Sequence, residues 1–324
     1  MIVSAPMAIA TFAVDCTQTV TNIIIIVLSL KYVKPNLCRT YALNHSIPSL
    51  IYSSYVMVLE FTDVTGLGRA VFWDTAERFM SEKKIWVSFI EATLMRYVSN
   101  TYKVFAMIMV VLTYVSYTYP FTYAKIIHKR NMRYIFVSGH CIVGLLVCCV
   151  LPNSIKAHFM ENTTTFNNVD IYLYVFWVEK FFGFMFFGIM VIMYFLSIHR
   201  IIQFSKKQTG PANESSKKRR SQLISVLIYC TPPNIFCGLS MPRNVCIFLS
   251  TSKLLLPQPE ICVLARYVHS PLMTTRFFTS SICTLIAFND YRKIFVARIK
   301  RLTGEQSTVI PVSNSTLQST LVNM

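Results

Sequence analysis

The sequence predicts an all-α membrane protein: a seven-transmembrane helix bundle followed by a short amphipathic eighth helix. Three observations predict it. Of 324 residues, 54% are hydrophobic and only 14% charged, where soluble domains carry about 25% charged residues. The apolar residues gather in long runs with polar breaks between them. Finally, the Lys and Arg that give a net charge of +17 collect in the short segments between those runs, as they do in the cytoplasmic loops of membrane proteins. In a soluble chain that charge would point to nucleic acid; here topology accounts for it, and no nucleic-acid partner is expected.

The first span is Pro6 to Leu30, followed at once by Lys31, Lys34 and Arg39, so the N-terminus is expected outside. Met1 to Thr11 has no basic residue and the run is too long for a secretory signal, so the segment is read as a retained span. Tyr41 to Phe61 is a weaker second span, softened by Asn44, His45, Pro48 and several Ser. From Thr62 to Lys84 acids balance bases and Gly66 and Gly68 interrupt any helix, which reads as an outer loop.

The third span descends from about Ser88 to Pro120. Val104 to Leu112 is unbroken apolar and no residue from Val104 to Val115 is charged, so a helix here has no polar face for water. It belongs either in lipid or at the centre of a bundle. At about 1.5 Å per residue, Lys103 lies roughly 25 Å from Tyr119, near the far edge of a hydrocarbon core about 30 Å thick. Tyr117, Tyr119 and Pro120 close the span as an aromatic belt and a helix breaker, and Lys125, Lys129, Arg130 and Arg133 follow as an inner loop.

Tyr134 to Leu151 is the fourth span, ended by Pro152, and Asn153 to Asp170 is an outer loop whose Asn162-Thr163-Thr164 is a glycosylation acceptor. Ile171 to Phe204 is an overlong fifth span, expected to tilt or project. Ser205 to Arg220 is a solvated inner loop ending Lys217-Lys218-Arg219-Arg220. The sixth span, Gln222 to Ser250, is interrupted by Pro232-Pro233, which bends it either as a hinge or as a static kink. After a turn from Thr251 to Glu260, Ile261 to Phe288 is the seventh. Tyr291 to Leu302 is a basic amphipathic helix on the inner surface, and 303–324 is a polar tail expected to be disordered in the cytoplasm.

The ten cysteines sit mostly inside apolar runs without metal spacing and are read as packing residues; no metal or other cofactor is expected. Cys246 and Cys262 are the exception: they flank the last outer turn, where an oxidising exterior permits a disulfide between them.

Seven spans, an outside N-terminus, a basic third inner loop and a basic eighth helix resemble a G-protein-coupled receptor. The rhodopsin-like marks are mostly absent: Ser116-Tyr117-Thr118-Tyr119-Pro120 stands where Asp-Arg-Tyr is usual, and Asn289-Asp290-Tyr291-Arg292-Lys293 follows the seventh span. With Tyr119-Pro120-Phe121-Thr122-Tyr123 and the Tyr291-Arg292-Lys293 exit, the chain is instead similar to the nematode serpentine chemoreceptors, most of all to class BC. The resemblance covers residues 6 to 302. It implies a multi-pass protein of the plasma membrane or sensory cilium, with 1–302 as the receptor domain. It further implies an extracellular small-molecule ligand, a heterotrimeric G protein and the lipid bilayer as partners.

No catalytic constellation is visible, so an enzyme is not expected. The informative residues are ionisable groups at membrane depth. Glu179 and Lys180 lie in the fifth span; Arg266, His269 and Arg276 share an arc of roughly 80° on the seventh. Arg96 and Lys103 make a second cationic stripe on the third. One reading has Lys103, Glu179, Arg266, His269 and Arg276 lining a pocket for an anionic or strongly hydrogen-bonding molecule; the other makes these groups structural ion pairs or snorkelling side chains. Likewise Tyr119, Pro120, Lys125, Arg130 and Lys217 to Arg220 either meet a G protein or only set topology and bind anionic lipid. The alternative function is a secondary transporter or channel subunit, which would want paired broken helices in corresponding halves; Pro232-Pro233 has no such counterpart.

Overall fold

The computed structural model describes residues 5–64, 82–159, 169–207 and 260–303, together with short pieces between 231 and 246. Every regular element among them is helical. In chain order they are α1 (Ala5–Lys31), α2 (Leu37–Val64), α3 (Glu82–Thr118), α4 (Pro120–Ile127), α5 (Lys129–Phe159), α6 (Val169–Lys207), α7 (Glu260–Ala287) and α8 (Asn289–Leu302). Four described segments are long and apolar enough to cross a membrane: Phe12–Lys31, Ile85–Ser116, Arg130–Pro152 and Phe181–Arg200. The chain is a membrane-associated protein, all-helical among the described residues.

α1 shows why. Val20, Ile23, Val27 and Leu30 are exposed, while Asp15, Gln18, Asn22 and Ser29 are buried. Both sets repeat at spacings of three, four or seven, so each occupies its own face. Apolar side chains point outward and polar ones inward, the reverse of a soluble helix, and the arrangement is stable only if the outer medium is itself apolar. α6 follows suit, with Phe181, Met185, Ile192 and Phe195 exposed.

α3 is the centre of the bundle rather than a lipid-facing helix. It packs against α2, α5 and α6, and Val98, Tyr102, Val104, Phe105, Ala106 and Val110 are almost fully buried. α1 packs against both α2 and α7, and α5 against α6. On α5, Gly139 faces Phe105 of α3 so closely that a Cβ built on it would lie 2.5 Å from the ring. Glycine is what lets these two backbones approach.

Three sequence expectations need correcting. Pro152 ends the fourth apolar span but not its helix: it lies inside α5, which runs on to Phe159, its missing N–H removing one bond from a helix long enough to continue. Pro120 breaks α3 but opens no loop; it sits in the first turn of α4, where its fixed φ suits a helix start. Among the described cysteines, Cys141, Cys148 and Cys149 are exposed on α5 rather than packed.

α8 is tied down rather than merely laid on a surface. The fully buried Tyr291 hydroxyl bonds Ser29 Oγ of α1 at 2.6 Å. Asn36 Nδ2 donates to Asp290 at 3.4 Å, and the Arg298 guanidinium lies 4.6 Å from the Tyr32 ring centroid. Burial pushes the Tyr291 hydroxyl up to about 12, so it is neutral when docked.

Candidate functional site

The predicted ligand residues fall on three helices. Lys103 is half-buried on α3 and lines a small cavity with Asn100, Leu146 of α5 and Phe182, Gly183 and Phe186 of α6. Glu179 stands four residues before Gly183 on α6, one turn further along the same helix. The backbone register therefore places Glu179 one turn beyond the α6 residues that line the Lys103 cavity. Arg266, His269 and Arg276 are placed on α7 by its backbone. The side chains of these three and of Glu179, like Asn162, Pro233 and Lys217 to Arg220 as a whole, lie outside the described residues. Pro232 is described, in a helical piece, half-buried.

Arg96 Nη1 donates to the Val150 carbonyl of α5 at 3.4 Å, which makes it a clasp between two helices. Cys246 and Cys262 are joined by a disulfide, with Cα atoms 5.4 Å apart. It ties the helical pieces of 231–246 to the start of α7. Those pieces also reach α6, through Tyr194 Oη and Thr231 Oγ1 at 2.9 Å.

The end of the bundle where α1 finishes and α2, α4 and α5 begin is basic. Tyr119, Pro120, Lys125 and Arg130 are all exposed there, and Arg130 and Arg133 line a notch of about 620 Å³ with His128 and Tyr134. Such a surface can take acidic protein or anionic headgroups.

A polar seam that the sequence reading does not single out runs between α1, α2 and α7. His45 Nε2 and Ser280 Oγ are 2.9 Å apart; Ser281 Oγ donates to Asn22 Oδ1 at 2.9 Å; Thr19 Oγ1 donates to Ser53 Oγ at 2.9 Å. All six residues are buried. At the far end of the same seam Asp15 hydrogen-bonds Glu60 of α2, with Glu91 of α3 within electrostatic reach. Polar bonds between helices are what hold a bundle together where apolar burial gives no net drive. The signal was present in the sequence as Asp15, Gln18 and Asn22 at helical spacing inside an apolar run, and as the Ser and His residues that weaken the second span. Among the described residues no group of three or more His, Cys, Asp or Glu is arranged to hold a metal.

No protein-family model matches the chain, and a search of curated proteins finds no match either.

Proposed function

We propose that the chain is a seven-helix G-protein-coupled chemosensory receptor. In this reading the N-terminus is outside and α8 and the tail lie in the cytoplasm; a small molecule binds among the helices and biases an equilibrium read by a heterotrimeric G protein at the basic end. The observation that carries it is the order of packing. α1 touches α2 and α7, α3 touches α2, α5 and α6, and the 231–246 pieces bridge α6 and α7. Helices arranged in chain order around a central third, closing between last and first, form a cup rather than the two matched halves that a transporter would want. The exposed residues of α4 and the start of α5 supply a cationic rim at one mouth, as contact with an acidic effector requires.

Within this reading, the ligand binds to Lys103 of α3, Glu179 of α6 and Arg266, His269 and Arg276 of α7. The test is a ligand screen in cells reading cyclic nucleotide and calcium, with substrate uptake measured in parallel. A ligand that raises second messenger without being accumulated supports a receptor. Uptake without signalling overturns it.

A further inference from the structure

A cleft of about 370 Å³ lies on the side of the bundle between α2, α3 and α5, within the size range of small-molecule sites. Its walls are largely apolar, among them Ile47 and Ile51 of α2 and Leu94 of α3. Ile47 and Ile51 are themselves exposed on the outside of the bundle, so the cleft opens sideways rather than through either end.

Three polar side chains interrupt this lining: Asn44, Tyr97 and His140, one from each helix. Their hydrogen bonds fix the part the Tyr97 hydroxyl plays. Asn44 Nδ2 donates to the Thr40 carbonyl at 2.7 Å, which directs Asn44 Oδ1 to His140 Nε2 at 2.9 Å. An amide oxygen only accepts, so His140 carries its hydrogen on Nε2. Nδ1 is then the acceptor, and the Tyr97 hydroxyl, 2.9 Å away, donates to it. The ring stays put because Tyr97 stacks on it, planes 6° apart, and the Phe105 edge meets it at 4.8 Å. With its hydrogen committed, the Tyr97 oxygen presents lone pairs to the cleft. The site is an apolar slot in which the Tyr97 oxygen is an acceptor.

Depth decides what can use it. His140 is ten residues from Arg130 and twelve from Pro152, the ends of its apolar span, hence about 15 to 18 Å from each. A charged headgroup dragged to that depth would be strongly disfavoured. We propose that the cleft binds a neutral, lipophilic small molecule carrying one hydrogen-bond donor, of the alkanol class, which enters from the bilayer and donates its hydroxyl hydrogen to Tyr97 Oη. This takes from the receptor reading only that the helices lie in a bilayer; it adds a ligand class distinct from an anion at Lys103.

The experiment uses the full-length protein in nanodiscs and a decan-1-ol with a diazirine in its chain, crosslinked by light and mapped by mass spectrometry. Labelling is expected on the peptides carrying Ile47 to Ile51 and Leu94 to Val98. Decan-1-ol should compete about three- to tenfold better than its methyl ether, the range one hydrogen bond supplies, and decanoate hardly at all. Tyr97→Phe should keep the labelling but erase the preference for alcohol over ether. Ile51→Trp, which fills the cleft without touching the relay, should abolish the labelling and decides the matter if Tyr97→Phe cannot be purified. Label spread evenly over the outward faces of α1 and α6, equal competition by the ether, competition by decanoate, or unchanged labelling in Ile51→Trp would each overturn the proposal. Labelling as expected leaves the cleft standing whatever the ligand screen in cells returns, so the cleft and the receptor reading fail separately.

Discussion

Gly139 and Gly144 lie on the same helix, and replacing each by alanine should move stability in opposite directions. Alanine gains roughly 1 kcal/mol over glycine in a helix interior at either position. At Gly144 nothing lies within 4 Å of the added carbon, so the gain is kept. At Gly139 the new carbon would stand 2.5 Å from Phe105 Cε1 and 3.2 Å from Ile108 Cδ1. The Phe105 ring cannot swing aside freely: it is fully buried, with Phe136 at 5.4 Å and His140 at 4.8 Å between centroids. Overpacking of this kind costs about 1–3 kcal/mol. Gly139→Ala should therefore fall below Gly144→Ala by about 1–3 kcal/mol, or roughly 2–6 °C in thermal midpoint at about 2 °C per kcal/mol for a chain this large. Fluorescence-detected gel filtration after heating reads both variants in one detergent, so the detergent cancels. Equal midpoints, or a gain for Gly139→Ala, would refute the close approach of α3 and α5.

The polar seam makes a second expectation: Ser281→Val leaves a buried Asn22 oxygen without its donor and should cost about 1–3 kcal/mol, while Asn22→Leu with Ser281→Val should cost less than the separate losses added together; additive losses would mean the two do not interact. Tyr291→Phe removes the bond to Ser29 and should speed tryptic cleavage at Arg292 and Lys293, an unchanged rate arguing against docking of α8 through that hydroxyl. Because Tyr291 rises from an ordinary 10.0 to about 12 on docking, its contribution is complete below pH 10 and fades as pH climbs toward 12, so protection of α8 should fall over that interval in the parent and not in Tyr291→Phe. Alkylation without reductant should spare Cys246 and Cys262, and prior reduction should add two alkyl groups on their peptides; modification of either before reduction would rule out the disulfide.

How much of this was legible in the sequence depends on whether a feature is local. The helices, their approximate limits and the basic breaks between them are local, and composition alone marks them. The apolar run of Val104 to Leu112 showed that α3 avoids water, but lipid and bundle interior are equally apolar, and only the packing against α2, α5 and α6 separates them. Pro152 read as a stop because one missing hydrogen bond usually ends a helix; α5 is long enough to carry on past it. The polar seam and the Tyr97–His140–Asn44 relay stayed hidden for a different reason. Their members are single polar residues in separate apolar runs, Asn22 and Ser281 being 259 positions apart, and nothing in any one helix says which of its polar groups will find a partner. Arg96 was legible as a cation at depth but not as a clasp on the Val150 carbonyl.

The central claim is an odd number of crossings, with α8 on the side opposite the start of the chain. Different epitopes at the two termini, probed in intact and permeabilised cells expressing the full chain, test it directly. The account predicts that antibody reaches the N-terminal epitope in intact cells and the C-terminal one only after permeabilisation. Both epitopes on the same side, or the C-terminal one alone exposed, would contradict it.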